Sequence, residues 1–506
     1  MHLLNKEHSL FLYFISFVAV LRLLLAPFVG LGVDEAHYVL YALNLDLSYF
    51  DHPPLVGWVQ YIFTSIFGTN EFGARVAAIL IGFVTSIFIY KLIFDINQNK
   101  NEAFIAVLAL HASFLFNALF LMLMPDTLLF LLILPIIFTV IELEKKDTLG
   151  MSKETFLHSQ KTDTLFWILL GVFLGFAGLA KYTAVLFIAP IVLYFIIKKR
   201  YELFYTPKIL PAIFIALLII SPVIIWNIQN NWSSFAYQSA HVVGDNSIKW
   251  SAFFSSIAAQ FGAYNPFLFP LAFYGLYKAL RSDNDTLFLT ALFGAVFISF
   301  FTYASLHQTA LPHWSALFYL LFIPIGTYFA LQLNKKIRKY LKFAIAFGLF
   351  LSLFVYAELG FKFIPFPEYQ SPHRDIYGWN TIMQEANAQI KNNPHAALAV
   401  TNWTLASRTI YYNRDYNSSV YLIDDRYDQF DIWEKESAIG KDLVFINSHF
   451  FKKDIAHTMK CDEVIPHAES TSSLSLTAHS EFDITLNANK IDTIQFVTCK
   501  NYQGLR

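Results

Sequence analysis

The stretch Gly32-Val33-Asp34-Glu35-Ala36-His37-Tyr38 follows directly on the first long apolar run of the chain, residues 10–30. A second polar element, Tyr49-Phe50-Asp51-His52-Pro53-Pro54-Leu55, comes shortly after it. Acidic side chains at the edge of a membrane span cost free energy, so a chain keeps them there mainly for function. The pattern predicts a membrane protein whose first loop carries a polar site.

The composition agrees, because 56% of the 506 residues are hydrophobic and only 14% are charged, against about 25% charged residues in soluble domains. A span needs about 20 apolar residues, and the sequence predicts a polytopic α-helical protein with about eleven spans (ten to thirteen). The net charge of −1 gives no electrostatic reason to expect a nucleic acid partner. The predicted spans are residues 10–30, 72–94, 102–123, 127–143, 164–180, 183–197, 209–226, 252–277, 287–306, 314–333 and 341–361.

Lysine and arginine collect in alternate loops, which the positive-inside rule places in the cytoplasm. Segments 31–73, 124–126 and 305–313 are nearly free of them and are predicted to face outward. The first apolar run has no small-residue cleavage site before the acids, so we expect an uncleaved helix and not a signal peptide. The cationic loops contain Lys91 and Lys100; Lys145, Lys146, Lys153 and Lys161; Lys198, Lys199, Arg200 and Lys208; Lys278 and Arg281; and Lys335, Lys336, Arg338, Lys339 and Lys342.

The composition changes near Phe361 to a polar, mixed sequence with short strand-like runs. The chain is therefore expected to consist of a transmembrane domain (1–360), with an outward catalytic loop at 31–72, and a soluble α/β or α+β domain (361–506). After an odd number of spans this domain lies in the periplasm. An oxidising periplasm permits a disulfide between Cys461 and Cys499; two buried free thiols are the alternative.

Asp34 and Glu35 are adjacent, so on a helix their side chains diverge by about 100° and one acid faces a cavity. An aspartate partly desolvated by neighbouring tyrosines is suited to accept a proton from an alcohol. The alternative is a structural role at the start of a helix, where acids bind free amides and complement the helix dipole.

Asp51 and His52 precede two prolines, whose rigid backbone fixes the direction of nearby side chains. Together with the first acids and His37 they form a possible group for binding a divalent metal or orienting a phosphate. Their spacing matches no closed metal-ligand pattern. The alternative is a turn in which Asp51 caps the next helix.

Three more ionisable groups lie at or near membrane depth: Arg22, Asp126 and Lys181. Such groups mark a polar pathway, and arginine and lysine are suited to hold a phosphate. For Arg22 the alternative is snorkelling toward the interface. For Asp126 it is a helix N-cap after Pro125. Lys181 splits the run 164–197 into two helices or one span with a re-entrant break.

Five motifs in consistent order resemble the bacterial dolichyl-phosphate-mannose-protein mannosyltransferase-like family. Its members are membrane glycosyltransferases of the GT-C fold, glycosyltransferase family 39, related to the lipid A aminoarabinose transferase. The likeness covers about residues 10–330, and segments 377–379 and 427–433 resemble the family's tail. The motifs are Val33-Asp34-Glu35-Ala36-His37-Tyr38, Tyr49-Phe50-Asp51-His52-Pro53-Pro54-Leu55, Met124-Pro125-Asp126, Gly178-Leu179-Ala180-Lys181-Tyr182-Thr183, and Trp226-Asn227 through Trp232-Ser233-Ser234-Phe235.

The resemblance implies site residues. Asp34 falls on the family's catalytic base or metal-associated acid, with Glu35 beside it, and Asp51 and His52 fall on the acid and cation of the loop's second element. The predicted catalytic residues are thus Asp34, Glu35 and Asp51, the predicted metal ligands are Asp51 and His241, and the predicted donor-binding residues are His52, Lys181, Arg22, Asp126 and Tyr182. His52 stands where aminoarabinose transferases have lysine, so that enzyme's donor is not carried over.

The resemblance also implies the activity: an inverting hexosyl- or pentosyltransferase that moves a sugar from a polyprenyl phosphate carrier to a periplasmic acceptor. The acceptor is lipid A, lipopolysaccharide, another envelope glycan or a protein. A divalent metal is a possible cofactor, and no nucleotide cofactor is expected, since the sequence contains no Gly-rich phosphate loop. The expected location is a bacterial inner membrane. The alternatives are a lipid-linked sugar flippase and a non-catalytic envelope-assembly protein.

Overall fold

The computed structural model describes residues 8–145, 153–243, 247–391, 393, 395–416, 418–434, 436–466 and 481–506. The chain forms two compact units. The bundle unit comprises Met1–Leu24, Asp46–Ile66 and Phe72–Val355. The sheet unit comprises Leu25–Leu45, Phe67–Glu71 and Tyr356–Arg506, so part of the first polar loop groups with the C-terminal residues.

The described residues before 362 form helices joined by loops. They are α1 Ser9–Leu25, α2 Val33–Leu43, α3 Leu55–Phe67, α4 Glu71–Asn97, α5 Lys100–His111, α6 Phe114–Leu119, α7 Pro125–Lys145, α8 Lys153–Ala180, α9 Ile188–Ile197, α10 Glu202–Tyr205, α11 Ile209–Gln229, α12 Ser233–Val243, α13 Trp250–Ala263, α14 Phe269–Leu280, α15 Asp285–Ser305, α16 Ala316–Leu331 and α17 Lys335–Phe361.

Within the described residues, seven helical segments are long and apolar enough to cross a membrane. Three shorter apolar segments, Leu55–Phe67, Thr164–Ala180 and Tyr182–Ile197, accompany them. The helices agree with the predicted polytopic membrane protein, and the number of spans stays a prediction. The seven long segments are Ser9–Phe28, Glu71–Asn97, Pro125–Glu144, Ile209–Gln229, Asp285–Ser305, Pro312–Leu331 and Lys335–Phe361.

Two predicted spans are interrupted. The run 102–123 divides into α5 and α6, and the run 252–277 divides into α13 and α14. The second break has a clear cause: Asn265 adopts a left-handed backbone with φ of 66°, and Pro266 has no amide hydrogen to continue the helix. The Asn265 side-chain amide donates to the carbonyl of Ala112, where α5 ends, at 3.0 Å. The side chain at the break between α13 and α14 therefore satisfies a backbone carbonyl at the break between α5 and α6. Broken helices in a membrane require such partners for their free backbone groups.

The sheet unit adds a mixed sheet with flanking helices. Strand order is β2-β1-β3-β7-β5, with β6 also paired to β7. Strands β2, β1 and β3 are parallel, and β7 runs antiparallel to β3, β5 and β6. The elements are α18 Trp379–Ile390, β1 Ala396–Val400, α19 Trp403–Asn413, β2 Val420–Leu422, α20 Gln429–Trp433, β3 Asp442–Ser448, α21 Ile455–Thr458, β4 Met459–Lys460, β5 Glu463–Pro466, β6 Glu481–Leu486, β7 Asn489–Lys500 and β8 Gly504–Leu505.

The core of this unit lies against the sheet, where Ala397, Phe445 and Val497 are buried. Cys461 and Cys499 form a disulfide with a Cα–Cα distance of 5.4 Å. Of the two alternatives left by the sequence, the structure therefore has the bridge. The pairing ties the segment before β5 to β7, the strand with the most neighbours.

Candidate functional site

In the bundle unit, Asp126 and Lys181 form an ion pair. Asp126 lies in the first turn of α7 and Lys181 follows α8 in an extended conformation. The Lys181 ammonium donates to both carboxylate oxygens at 2.7 Å, and the two side chains are only 11% and 6% exposed. The carboxylate is thus directed at a cation instead of capping the helix. His313 and Tyr264 lie within electrostatic range of Asp126.

The loop that carries Asp51 and His52 is held by side chains of α11 and α12. The Trp226 indole N–H donates to the carboxylate of Asp46 at 2.9 Å. Gln238 donates through its side-chain amide to the backbone carbonyl of Asp51. These contacts hold the loop at Asp46 through its side chain and at Asp51 through its backbone. Trp226 belongs to a motif of the family resemblance, whereas nothing in the sequence pointed to Gln238.

Tyr182 joins the same region. Its hydroxyl is hydrogen-bonded to Ser234 Oγ at 2.6 Å, its ring packs edge-on against Phe235 at 5.3 Å, and Asp51 lies within electrostatic range. The structure therefore brings together two residues that the sequence predicted separately, Asp51 of the first loop and Tyr182 beyond α8.

An apolar groove lies beside these polar groups. Its volume is about 750 Å³, and side chains of α8, α9 and α11 form most of its lining, among them Trp167, Ile188 and Ile220. Its polar members include Tyr182 and Gln238, the two side chains that bond to Ser234 and to the Asp51 backbone. The groove is therefore apolar along most of its lining and polar where Tyr182 and Gln238 lie.

Arg22 lies elsewhere in the bundle unit and is 1% exposed, so its head group does not snorkel. The guanidinium donates to Asn117 Oδ1 at 2.9 Å and lies 3.4 Å from His111 Nδ1. Because arginine cannot accept a hydrogen bond, Nδ1 of His111 is the acceptor, and Nε2–H donates to Ser86 at 2.9 Å. This network stabilises the helices around Arg22, and the predicted contact of Arg22 with the donor stays a prediction.

The predicted metal ligands are Asp51 and His241. Among the described residues, no group of three or more His, Cys, Asp or Glu side chains is arranged to hold a metal ion. The backbone of His241 belongs to α12, but its side chain lies outside the described residues. The predicted metal site therefore stays a prediction.

In the sheet unit, α2 carries Asp34 and Glu35 in its first turn. Glu35 is 4% exposed, and its carboxylate accepts a hydrogen bond from the backbone N–H of Gly32 at 3.0 Å. Glu35 therefore satisfies one of the free amides that every helix start leaves. Asp34 points in another direction, as adjacent helix positions must, and is only half buried.

His37, one turn further along α2, is 4% exposed. Its ring lies 4.9 Å from Tyr41, 5.8 Å from Trp403 and 5.5 Å from Phe430, measured between centroids. Ser407 Oγ lies 3.2 Å from His37 Nδ1 and donates to the Trp403 carbonyl. The histidine therefore donates to the serine, and α2 is fixed on α19 and α20 by ring contacts and a side-chain hydrogen bond. The sequence placed His37 near the acids without indicating these partners.

Comparison with known proteins adds three findings. Residues 51–226 match the sequence profile of the dolichyl-phosphate-mannose-protein mannosyltransferase family. The chain is 25% identical over 266 residues to the lipid A galacturonosyltransferase RgtD of Rhizobium johnstonii, a match that covers 50% of each protein. The chain thus spans about half the length of this curated relative.

The fold has been seen in solved structures. ArnT from Cupriavidus metallidurans bound to undecaprenyl phosphate superposes with a TM-score of 0.63 at 14% identity, over 96% of this chain and 97% of ArnT. The apo form of ArnT superposes with the same score over 97% and 98%. The predicted GT-C fold, helices followed by a sheet-containing C-terminal region, is confirmed. The predicted resemblance to the GT-C glycosyltransferases related to ArnT is confirmed as well.

Proposed function

We propose that this membrane protein, which has the GT-C fold of ArnT, is an inverting glycosyltransferase. It takes a sugar from a polyprenyl phosphate carrier and passes it to an acceptor at the periplasmic face of a bacterial inner membrane. The undecaprenyl phosphate bound to ArnT supports the donor class, and the name of RgtD supports a lipid acceptor such as lipid A.

The observation that carries the proposal is the apolar groove of the bundle unit, because its polar members bond to the region of Asp51. A polyprenyl chain gains about 0.8 kcal/mol for each buried CH₂ group, and a groove of about 750 Å³ buries several isoprene units. The phosphate then lies near Tyr182 and Gln238. A carrier bound in this way presents its sugar to the loop of Asp51 and His52.

The phosphate needs positive charge or hydrogen-bond donors as the bond to the sugar breaks. Lys181 precedes Tyr182 in the chain, and its ammonium is paired with the Asp126 carboxylate. The pair as a whole is neutral, so its attraction for an anion is weaker than that of lysine alone. Lys181 and Tyr182 are therefore assigned to orient the phosphate by hydrogen bonds instead of neutralising its charge. His52 is assigned as a further hydrogen-bond donor.

Asp34 is assigned as the general base and Glu35 as the residue that caps its helix. The acceptor hydroxyl oxygen attacks the anomeric carbon while the bond from that carbon to the phosphate oxygen breaks. The electron pair of the broken bond leaves with polyprenyl phosphate, and the hydroxyl proton passes to the Asp34 carboxylate. Attack opposite to the leaving group inverts the anomeric centre.

The periplasmic side is part of the proposal. The disulfide between Cys461 and Cys499 supports it, since such bonds persist in oxidising compartments and are rare in the cytosol. The segments 31–73 and 305–313 contain almost no lysine, as expected of outward loops. The acceptor is therefore an envelope lipid, glycan or protein.

The test is sugar transfer in proteoliposomes that receive radiolabelled polyprenyl phosphate sugars and an envelope lipid extract. We expect Asp34→Asn to lower kcat about 10²- to 10⁴-fold, the usual range for loss of a general base, with donor KM little changed. Asp415→Asn, at a side chain 80% exposed, is the matched control. A parallel assay with a divalent-metal chelator tests the predicted metal.

Undiminished transfer by Asp34→Asn removes Asp34 as the base. Failure of the parent protein to transfer any supplied sugar contradicts the proposed activity. Movement of intact lipid-linked sugar across the bilayer, without transfer, would assign the chain to transport.

A further inference from the structure

The outward loop that carries the candidate acids has two ends, and both lie in the sheet unit. Leu31 precedes α2 at the entrance, and Glu71 begins α4 at the exit. Their backbones are separated by about 40 residues of sequence, so the geometry of the loop depends on what holds its two ends.

One hydroxyl group binds both ends. The phenol oxygen of Tyr412, on α19, accepts a hydrogen bond from the backbone N–H of Leu31 at 2.8 Å. The same group donates to Glu71 Oε1 at 3.1 Å. Tyr412 is only 6% exposed. Burial, reinforced by the nearby Glu71 carboxylate, raises the pKa of Tyr412 well above its ordinary value, so the phenol keeps the proton that it donates.

The ring of Tyr412 is itself held in place. It stacks on Trp379 with centroids 6.4 Å apart and meets Tyr411 edge-on at 4.8 Å. The Arg408 guanidinium lies 4.4 Å over the Trp379 ring. A ring fixed on two sides gives its hydroxyl a defined position, which a surface tyrosine does not have.

The chain is shaped to approach this hydroxyl. A Cβ atom added at Gly30 would lie 2.1 Å from the Ile376 carbonyl oxygen and 3.0 Å from the Tyr412 hydroxyl. Only glycine lets the backbone before Leu31 come this close. The hydrogen bond between Leu31 and Tyr412 therefore also depends on Gly30, the residue that precedes Leu31.

We propose that Tyr412 is a positioning residue for the transfer reaction, which closes the base of the outward loop and sets the start of the helix that carries Asp34. The proposal rests on the proposed function for its catalytic consequence. Leu31 lies three residues before Asp34, so a shift of the Leu31 amide moves the first turn of α2. Misplacement of a reacting group by about 1 Å lowers a rate about a hundredfold.

This assignment gives the C-terminal residues a part in catalysis without contact with the reacting atoms. Tyr412 lies 381 residues from Leu31 in sequence, yet the two belong to one compact unit. The C-terminal part of this unit then holds α2, the helix that carries Asp34, in position.

The test compares Tyr412→Phe with Tyr421→Phe in the full-length protein in proteoliposomes. Each variant removes one hydrogen-bonded hydroxyl group from the sheet unit and keeps the aromatic ring. The Tyr421 hydroxyl is bonded to Lys441 at 2.6 Å. We expect Tyr412→Phe to lower kcat about ten- to a hundredfold with donor KM within twofold of the parent. Tyr421→Phe is expected to keep the parent kcat.

Hydrogen exchange gives a readout that does not require transfer. Amides of residues 31–43 are expected to exchange at least about tenfold faster in Tyr412→Phe, which corresponds to about 1.4 kcal/mol of lost protection. Amides of β7 serve as the internal reference for global unfolding and are expected to keep their rates. Gly30→Ala, which disturbs the same contact from the other side, is expected to reproduce both effects.

Unchanged exchange at residues 31–43 in both Tyr412→Phe and Gly30→Ala would show that Tyr412 does not hold the loop, and the proposal would be wrong. Faster exchange with unchanged kcat overturns its role in positioning. Absence of transfer by the parent protein counts against the proposed function alone, because the exchange experiment still decides whether Tyr412 holds the loop.

Discussion

Two candidate site elements, the Lys181–Asp126 pair of the bundle unit and helix α2 of the sheet unit, are held by opposite means. In the bundle unit, Lys181 and Asp126 are joined as ions, with both carboxylate oxygens 2.7 Å from one ammonium. In the sheet unit, α2 is held by neutral groups: the Tyr412 phenol, the Ser407 hydroxyl and the rings around His37.

The difference follows from the surroundings. When a buried charge is paired with a counter-charge in an apolar bundle, loss of one partner leaves an uncompensated ion. A neutral hydrogen bond exchanges with water at small net cost. Loss of either partner of the Lys181–Asp126 pair is therefore expected to cost much stability. Loss of any one contact of α2 is expected to cost little, because several contacts hold this helix.

The largest effect is expected from breaking the ion pair. Lys181→Gln leaves the Asp126 carboxylate buried without its cation, so we expect the free energy of unfolding to fall by about 3 to 5 kcal/mol. Thermal unfolding in detergent micelles measures this loss.

The double variant Asp126→Asn/Lys181→Gln removes both charges and is expected to recover most of that stability. Its transfer rate then separates the two possible roles of Lys181. Recovered stability with lost transfer supports Lys181 as a phosphate-orienting residue. Recovery of both would show that the pair serves only the fold and would remove Lys181 from the site.

The sequence predicted the individual charges of this pair but not their pairing. Apolar runs locate spans because each span must be about 20 residues long, and Asp126 and Lys181 stand out within such runs. Their 55-residue separation holds no local signal of contact. The break at Asn265 has a local signal in Pro266, but the bond from the Asn265 side chain to the Ala112 carbonyl, 153 residues away, has none.

The same limit applies more strongly to α2. A helix start with Asp34 and Glu35 could be predicted, together with the alternative of a capping role, which Glu35 indeed has. That this helix packs on α19 could not, because the link between Leu31 and Tyr412 depends on tertiary structure. For the two cysteines the sequence allowed only one intramolecular bridge but left open whether it forms, which the structure decides.

The groove offers a second contrast within the bundle unit, because the proposed lipid would be held there by buried apolar area instead of by charge. Ala216 lines its wall, and Ala216→Trp fills part of the space. We expect KM for a long-chain polyprenyl donor to rise about tenfold, the equivalent of roughly two buried CH₂ groups, with kcat little changed. A ten-carbon donor, which reaches less of the groove, is expected to be affected less. Equal effects on both donors would place the lipid elsewhere.

The smallest effect is expected at Ser407, and it tests the neutral side of the comparison. Ser407→Ala removes the acceptor of the His37 Nδ1–H group and keeps the surrounding rings, so we expect a loss of about 0.5 to 1.5 kcal/mol in unfolding free energy, measured by thermal unfolding. Transfer should stay within a fewfold of the parent, because Tyr412 still holds the start of α2. A loss as large as that of Lys181→Gln would mean that α2 depends on a single contact, as the Lys181–Asp126 region does. The proposed difference between one ion pair and several weaker contacts would then be wrong.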